Sequence, residues 1–211
     1  MSPLLIGFVG VLLLPLFVAT WRASLVGLAV QGVLMGVIAH RLHGAPHDAS
    51  GWLTLVDVVV VRGLWAPAAL YGVLRAKKAP SRNDVIPANL LSWTLAFGVV
   101  LVAFNVAGPL APEGGDGETL LAASIAAVLL GFLVLATQPG CLSQIVGALR
   151  IENGIALFEL GTPSHEDTVE IKLGQIAIVV LTIALYRGYL AALGAGIAPD
   201  ASNGEAEAPT L

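Results

Sequence analysis

Residues 142–160 read LSQIVGALRIENGIALFEL, from Leu142 to Leu160. Coiled as a helix at about 1.5 Å per residue, the stretch is about 29 Å long, close to the thickness of a bilayer's hydrocarbon core. It is apolar except for a few positions, and three of those are Arg150, Glu152 and Glu159. A membrane-spanning helix with charges inside it accounts for both properties, and the rest of the chain supports that assignment.

Of the 211 residues, 57% are hydrophobic and 11% charged. Mean hydropathy is +0.88. An ordinary soluble domain is about 25% charged, so this chain lacks the polar residues to coat a water-soluble globule, and the same scarcity excludes a disordered or nucleic-acid-binding chain. Apolar runs punctuated by Gly, Pro and charge predict seven helices, over residues 4–20, 23–40, 52–75, 86–108, 119–137, 142–160 and 169–193. The fold class is therefore all-α, a polytopic integral membrane protein of about seven spans. The first span has no positive segment before it and a second follows at once, as for a retained helix and not a cleaved signal. The spans group into an N-terminal four-helix region (1–108), an acidic Gly-rich loop (109–118), a three-helix region (119–193) and a polar tail (194–211).

Orientation follows from the excess of Lys and Arg on cytoplasmic loops. With seven spans, Arg22, Arg75, Lys77, Lys78, Arg82 and Arg187 share one side, against Arg41 and Lys172 on the other. This predicts the N-terminus outside and the C-terminus in the cytoplasm. The net charge of −4 says little, because several acids sit in the 109–118 loop and the tail. Cys141 is the single cysteine, too few for an internal disulfide or a thiolate metal site. His40, His43 and His47 are close in sequence, but the Gly-Ala-Pro break between them argues against one metal site. No phosphate loop, nucleophile elbow or HExxH pattern occurs. Neither a cofactor nor a catalytic residue is expected.

A charge at the centre of a spanning helix costs roughly 2.5–3.5 kcal/mol on insertion scales and is by default a functional candidate. Asp57 and Arg62 fall in the third span, Arg150, Glu152 and Glu159 in the sixth, and Glu170 and Lys172 at the start of the seventh. Glu152 is about 15 Å along its helix, near the midplane. Glu159, seven residues on, returns to nearly the same face, whereas Arg150 points to the opposite side. Burial disfavours ionisation of a carboxyl and a nearby cation favours it, so a mid-membrane Glu can trade protons. The alternative is a neutral Glu holding helices together. Arg62, also near the midplane, cannot shed its charge and needs an acceptor, Glu152 or an acid of another subunit. On regular α-helical periodicity Asp57 lies about 140° away from it and serves other neighbours. Pro67 interrupts the third helix. Lys172, Gln175 and Thr182 share a broad polar face of the seventh.

The segments QIVGALRIENGIALFELG (Gln144 to Gly161) and VEIKLGQIAIVVLTIAL (Val169 to Leu185) resemble the hydrogenase-4 component E family. Its members are membrane-arm subunits of energy-converting nickel–iron hydrogenases and formate hydrogenlyases. The last three spans are similar to the K subunit of respiratory complex I and the C subunit of Mrp antiporters. The family's Glu-Asn-Gly is matched by Glu152, Asn153 and Gly154, and its acid at the start of the next helix by Glu170. Gln175 and Ile176 stand where a further acid is usual, and Arg150 where the family is usually apolar. The resemblance implies a non-catalytic subunit in a prokaryotic cytoplasmic (inner) membrane. Its partners would be antiporter-like membrane subunits and, through them, peripheral nickel–iron or iron–sulfur redox subunits. It also implies a proton path through Glu152, Glu159, Lys172, Gln175 and Glu170, tuned by Arg62, Asp57 and Arg150. A stand-alone transporter or channel, a lipid-acting enzyme and a purely structural or assembly subunit are the competing classes.

Overall fold

The computed structural model describes residues 2–17, 20–76, 90–111, 115–138, 140–162 and 168–193, and all regular structure among them is helical. Seven helices follow in chain order: α1 (Ser2–Phe17), α2 (Trp21–His43), α3 (Ala49–Ala76), α4 (Leu90–Leu110), α5 (Gly115–Thr137), α6 (Cys141–Gly161) and α7 (Val169–Leu193). By length and composition α2, α3, α4, α5 and α7 can each cross a bilayer, while α1 carries a shorter apolar stretch, Pro3–Leu13. Many large apolar side chains face outward, among them Trp93, Phe97 and Leu101 of α4 and Ile178, Leu181 and Leu185 of α7. An apolar exterior this extensive does not suit water and suits lipid. The basic residues Lys77, Lys78 and Arg82 and the tail 194–211 lie outside the described residues.

Local chemistry explains the helix ends. The Thr20 hydroxyl accepts from Ala23 N–H at 3.4 Å and the Asp48 carboxylate from Gly51 N–H at 2.8 Å, capping α2 and α3. α2 stops at Gly44, whose φ of 78° suits a residue without Cβ, and its N–H donates back to the His40 carbonyl. The expected 109–118 loop is shorter than its composition indicates. α4 runs through Pro109 to Leu110, and α5 begins at Gly115 with Asp116 and Glu118 in its first turn. Carboxylates there meet the positive end of the helix dipole, so the acids start the helix instead of delaying it.

The least regular element is α3. Over Val56–Trp65 its backbone is a π-helix, and the ladder ends with Ala66 N–H donating to the Val61 carbonyl, five residues back. Pro67, which has no N–H to give, is the next residue, and the helix then continues to Ala76. π segments are usually single turns, so a ten-residue one is unusual. At Gly63 this segment meets α2 backbone to backbone: a Cβ on Gly32 would strike the Cα and N of Gly63 and the carbonyl of Val58. Small residues that permit such an approach are the usual means of packing helices in a membrane.

Two apolar clusters stabilise the bundle. One joins Phe8 and Leu12 of α1, Ile38 of α2 and Leu157 of α6 with the alanines of α5. The other joins Leu28 of α2, Leu70 of α3, Leu149 of α6 and Ile183 of α7. Both draw helices from the two ends of the sequence. Between them lie the polar residues Gln31, Arg62, Glu152 and Asn153.

Candidate functional site

The π-helix overturns the expectation that Asp57 and Arg62 serve different neighbours. Their separation by about 140° holds for 3.6 residues per turn, but i→i+5 bonding takes in an extra residue per turn and brings positions five apart onto one side. Arg62 Nε donates to Asp57 Oδ2 at 2.9 Å, and the side chains are 10% and 15% exposed. Asp57, not Glu152, is the acceptor that Arg62 finds.

A cavity of about 500 Å³ opens where the end of α2, the α2–α3 loop, the start of α3, the end of α6 and the start of α7 converge. Its walls include His40, His43, His47, Asp57, Glu159, Lys172 and Gln175. Thus Glu159, Lys172 and Gln175 do come together, with three histidines and Asp57 that sequence spacing did not connect to them. His43 Nδ1 lies 3.3 Å from the Ala39 carbonyl of its own helix. Among the described residues no group of three His, Cys, Asp or Glu is placed to hold a metal ion. Glu170 is exposed in the first turn of α7 and is not part of these walls.

A second void, of about 10 Å³, lies deeper in the bundle. Arg62, Glu152 and Asn153 line it together with apolar residues that include Leu28, Leu149, Val179 and Ile183. Arg62 and Glu152 therefore share a void although Arg62's ion pair is with Asp57. Asn153 Nδ2 donates to Gln31 Oε1 at 3.4 Å, and Gln31 is fully buried in α2. Tyr186, half-buried in α7, packs against the apolar cluster that holds Leu28, Leu149 and Ile183. Neither Gln31 nor Tyr186 stood out in the sequence. The one signal for Gln31 was an amide in the middle of an apolar run.

Arg150 is the largest fully buried side chain among the described residues, and its Nη1 donates to the Leu12 carbonyl of α1 at 2.8 Å. It points away from Glu152, as the two-residue spacing requires, and ties α6 to α1. The opposite pattern holds for Glu152 and Glu159: they share a broad stripe of α6, yet Glu152 lines the inner void and Glu159 the large cavity. The intervening turn contributes Ala156, itself on the cavity wall.

No protein-family model matches the chain, and no solved structure matches it. It is similar to the uncharacterized protein Rv0085 of Mycobacterium tuberculosis (strain ATCC 25618 / H37Rv), with 28% identity over 191 residues that make up 84% of this chain and 87% of that one.

Proposed function

We propose that the protein is a non-catalytic membrane-arm subunit of a multisubunit energy-converting redox complex, of the hydrogenase or complex I kind, and carries part of a proton path. On this reading all seven helices cross a prokaryotic cytoplasmic membrane, with the N-terminus outside and the C-terminus in the cytoplasm. The large cavity then faces outward, because α2 ends and α7 begins there. The redox chemistry belongs to partner subunits.

The observation that carries this reading is a line of ionisable side chains running from one end of the bundle into its interior. Glu159 and Lys172 stand on the cavity wall, Asp57 stands on the same wall and holds Arg62, and Arg62 shares the inner void with Glu152. Burying charged groups is expensive in any protein and more so in a bilayer, and packing alone would have been served by apolar side chains. The Glu-Asn-Gly resemblance at Glu152, Asn153 and Gly154 supports the same role.

The test is Glu152→Gln in the complex purified with mild detergent from native membranes and reconstituted in vesicles. Redox turnover should persist while coupled proton translocation is lost. Unchanged translocation, or a protein that purifies alone and transports by itself, would rule the reading out.

A further inference from the structure

Asp57 belongs to both polar regions. Its side chain is on the wall of the large cavity, and its Oδ2 accepts from Arg62, which lines the inner void beside Glu152. Three buried atoms at this junction, Asp57 Oδ1, Arg62 Nη1 and Glu152 Oε2, have no hydrogen-bond partner among the described residues. Buried polar atoms are nearly always hydrogen-bonded, to protein or to water. The inner void is about 10 Å³, around the least volume that admits one water. Its polar lining supplies the two to four partners such a water needs. On its far side Leu28, Leu149, Val179 and Ile183 are buried in a continuous apolar cluster. The polar approach to the void runs from the large cavity, through Asp57 and Arg62.

We propose that the large cavity is a water-filled outer access route to Glu152, that Asp57 and Arg62 form the joint between cavity and void, and that one water sits among Arg62, Glu152 and Asn153. This rests on the proton-carrying role proposed above and adds the route, its side of the membrane and the residues that connect it. The π-helix is what makes the joint: with regular α-helical spacing Asp57 would turn away from Arg62 and the cavity wall would lose its link to the interior.

The experiment uses single cysteines in a Cys141→Ser background, with a membrane-impermeant, positively charged thiosulfonate applied to intact cells. Gln175→Cys and Leu53→Cys place thiols on two walls of the cavity. Ile178→Cys, three residues from Gln175, replaces a side chain that is 67% exposed on the outer surface of the bundle. Because the thiolate is the reactive form and needs water, both cavity thiols should label faster than the Ile178→Cys thiol by about tenfold or more. Equal rates at all three, or labelling of the cavity thiols only from the cytoplasmic face in inverted vesicles, would overturn the route. This readout needs no partner subunit, so it decides the route even if Glu152→Gln leaves translocation unchanged. In the assembled complex, Asp57→Asn should slow translocation severalfold and Asp57→Glu restore it. A full rate with Asp57→Asn, where Glu152→Gln abolishes translocation, would overturn the joint.

Discussion

α6 presents two faces to its neighbours, and each solves a different packing problem. Toward α5 it offers Gly147, Ile151 and Gly154, which meet Gly131, Ala127 and the backbone carbonyl of Ser124. This is a close contact of small residues with apolar neighbours. Toward α2, α3 and α7 it offers Glu152 and Asn153, which meet Gln31, Arg62 and a small void. In lipid there is no hydrophobic gain from helix association, so van der Waals contact and hydrogen bonds have to supply it. The α5 face relies on the first, the opposite face on the second. The polar face borders a small void with polar lining, and the candidate path lies there.

The contrast can be broken at its tightest point. Gly32→Val should be the most damaging change, because its side chain would press on the backbone of Gly63 and Val58, which cannot rotate away. Overpacking costs typically about 1–3 kcal/mol, occasionally more, and the loss here should fall at or above the upper end, read as a lowered Tm in detergent. On the α5 side, Gly131→Ala meets Ile151 Cγ1 closely and, less closely, the backbone atoms Gly147 O at 3.0 Å and Ile151 N at 3.2 Å, and its side chain is one methyl, so it should cost less. If the two glycines proved equally tolerant, the backbone contact at Gly32 and Gly63 would not be as close as described.

Arg150→Leu should come next. It removes a bond from a charged donor to the Leu12 carbonyl, worth about 1.5–3 kcal/mol, and should loosen α1, seen as faster proteolysis of the N-terminal helix. Unaltered protection would mean that apolar packing alone holds α1. The smallest effect is expected for Gln31→Leu, which takes the acceptor from Asn153. Interhelical hydrogen bonds of this kind average about 0.6 kcal/mol in a membrane protein, so Tm should fall by little while the surroundings of Glu152 change.

The helices themselves were legible in the sequence. The predicted third span, 52–75, became Ala49–Ala76, and the predicted seventh, 169–193, became Val169–Leu193. Runs of apolar residues ended by Gly, Pro and charge suffice for that, since each backbone group in lipid has to be satisfied within its own helix. Arg62, Glu152 and Glu159 were legible as charges inside apolar runs. Their partners were not: pairing Arg62 with Asp57 required knowing that the ladder there skips an extra residue, and no periodic pattern announces a π segment of that length. The histidines of HRLHGAPH were visible as a cluster, but nothing local showed that the ends of α6 and α7 would complete a cavity around them.

By itself, then, the sequence determined an all-helical chain with an apolar exterior and a few charges inside its apolar runs, because hydrophobicity and helix termination are set within a span or a turn. The tertiary structure alone decided that Asp57 faces Arg62, that Arg62 shares a void with Glu152, and that Glu159, Lys172, Gln175 and three histidines surround one cavity. Those relations depend on how far a backbone is wound and on which helix ends meet. Both are outcomes of packing between residues far apart in the chain, as where Gly32 of α2 lets the widened turn at Gly63 of α3 approach.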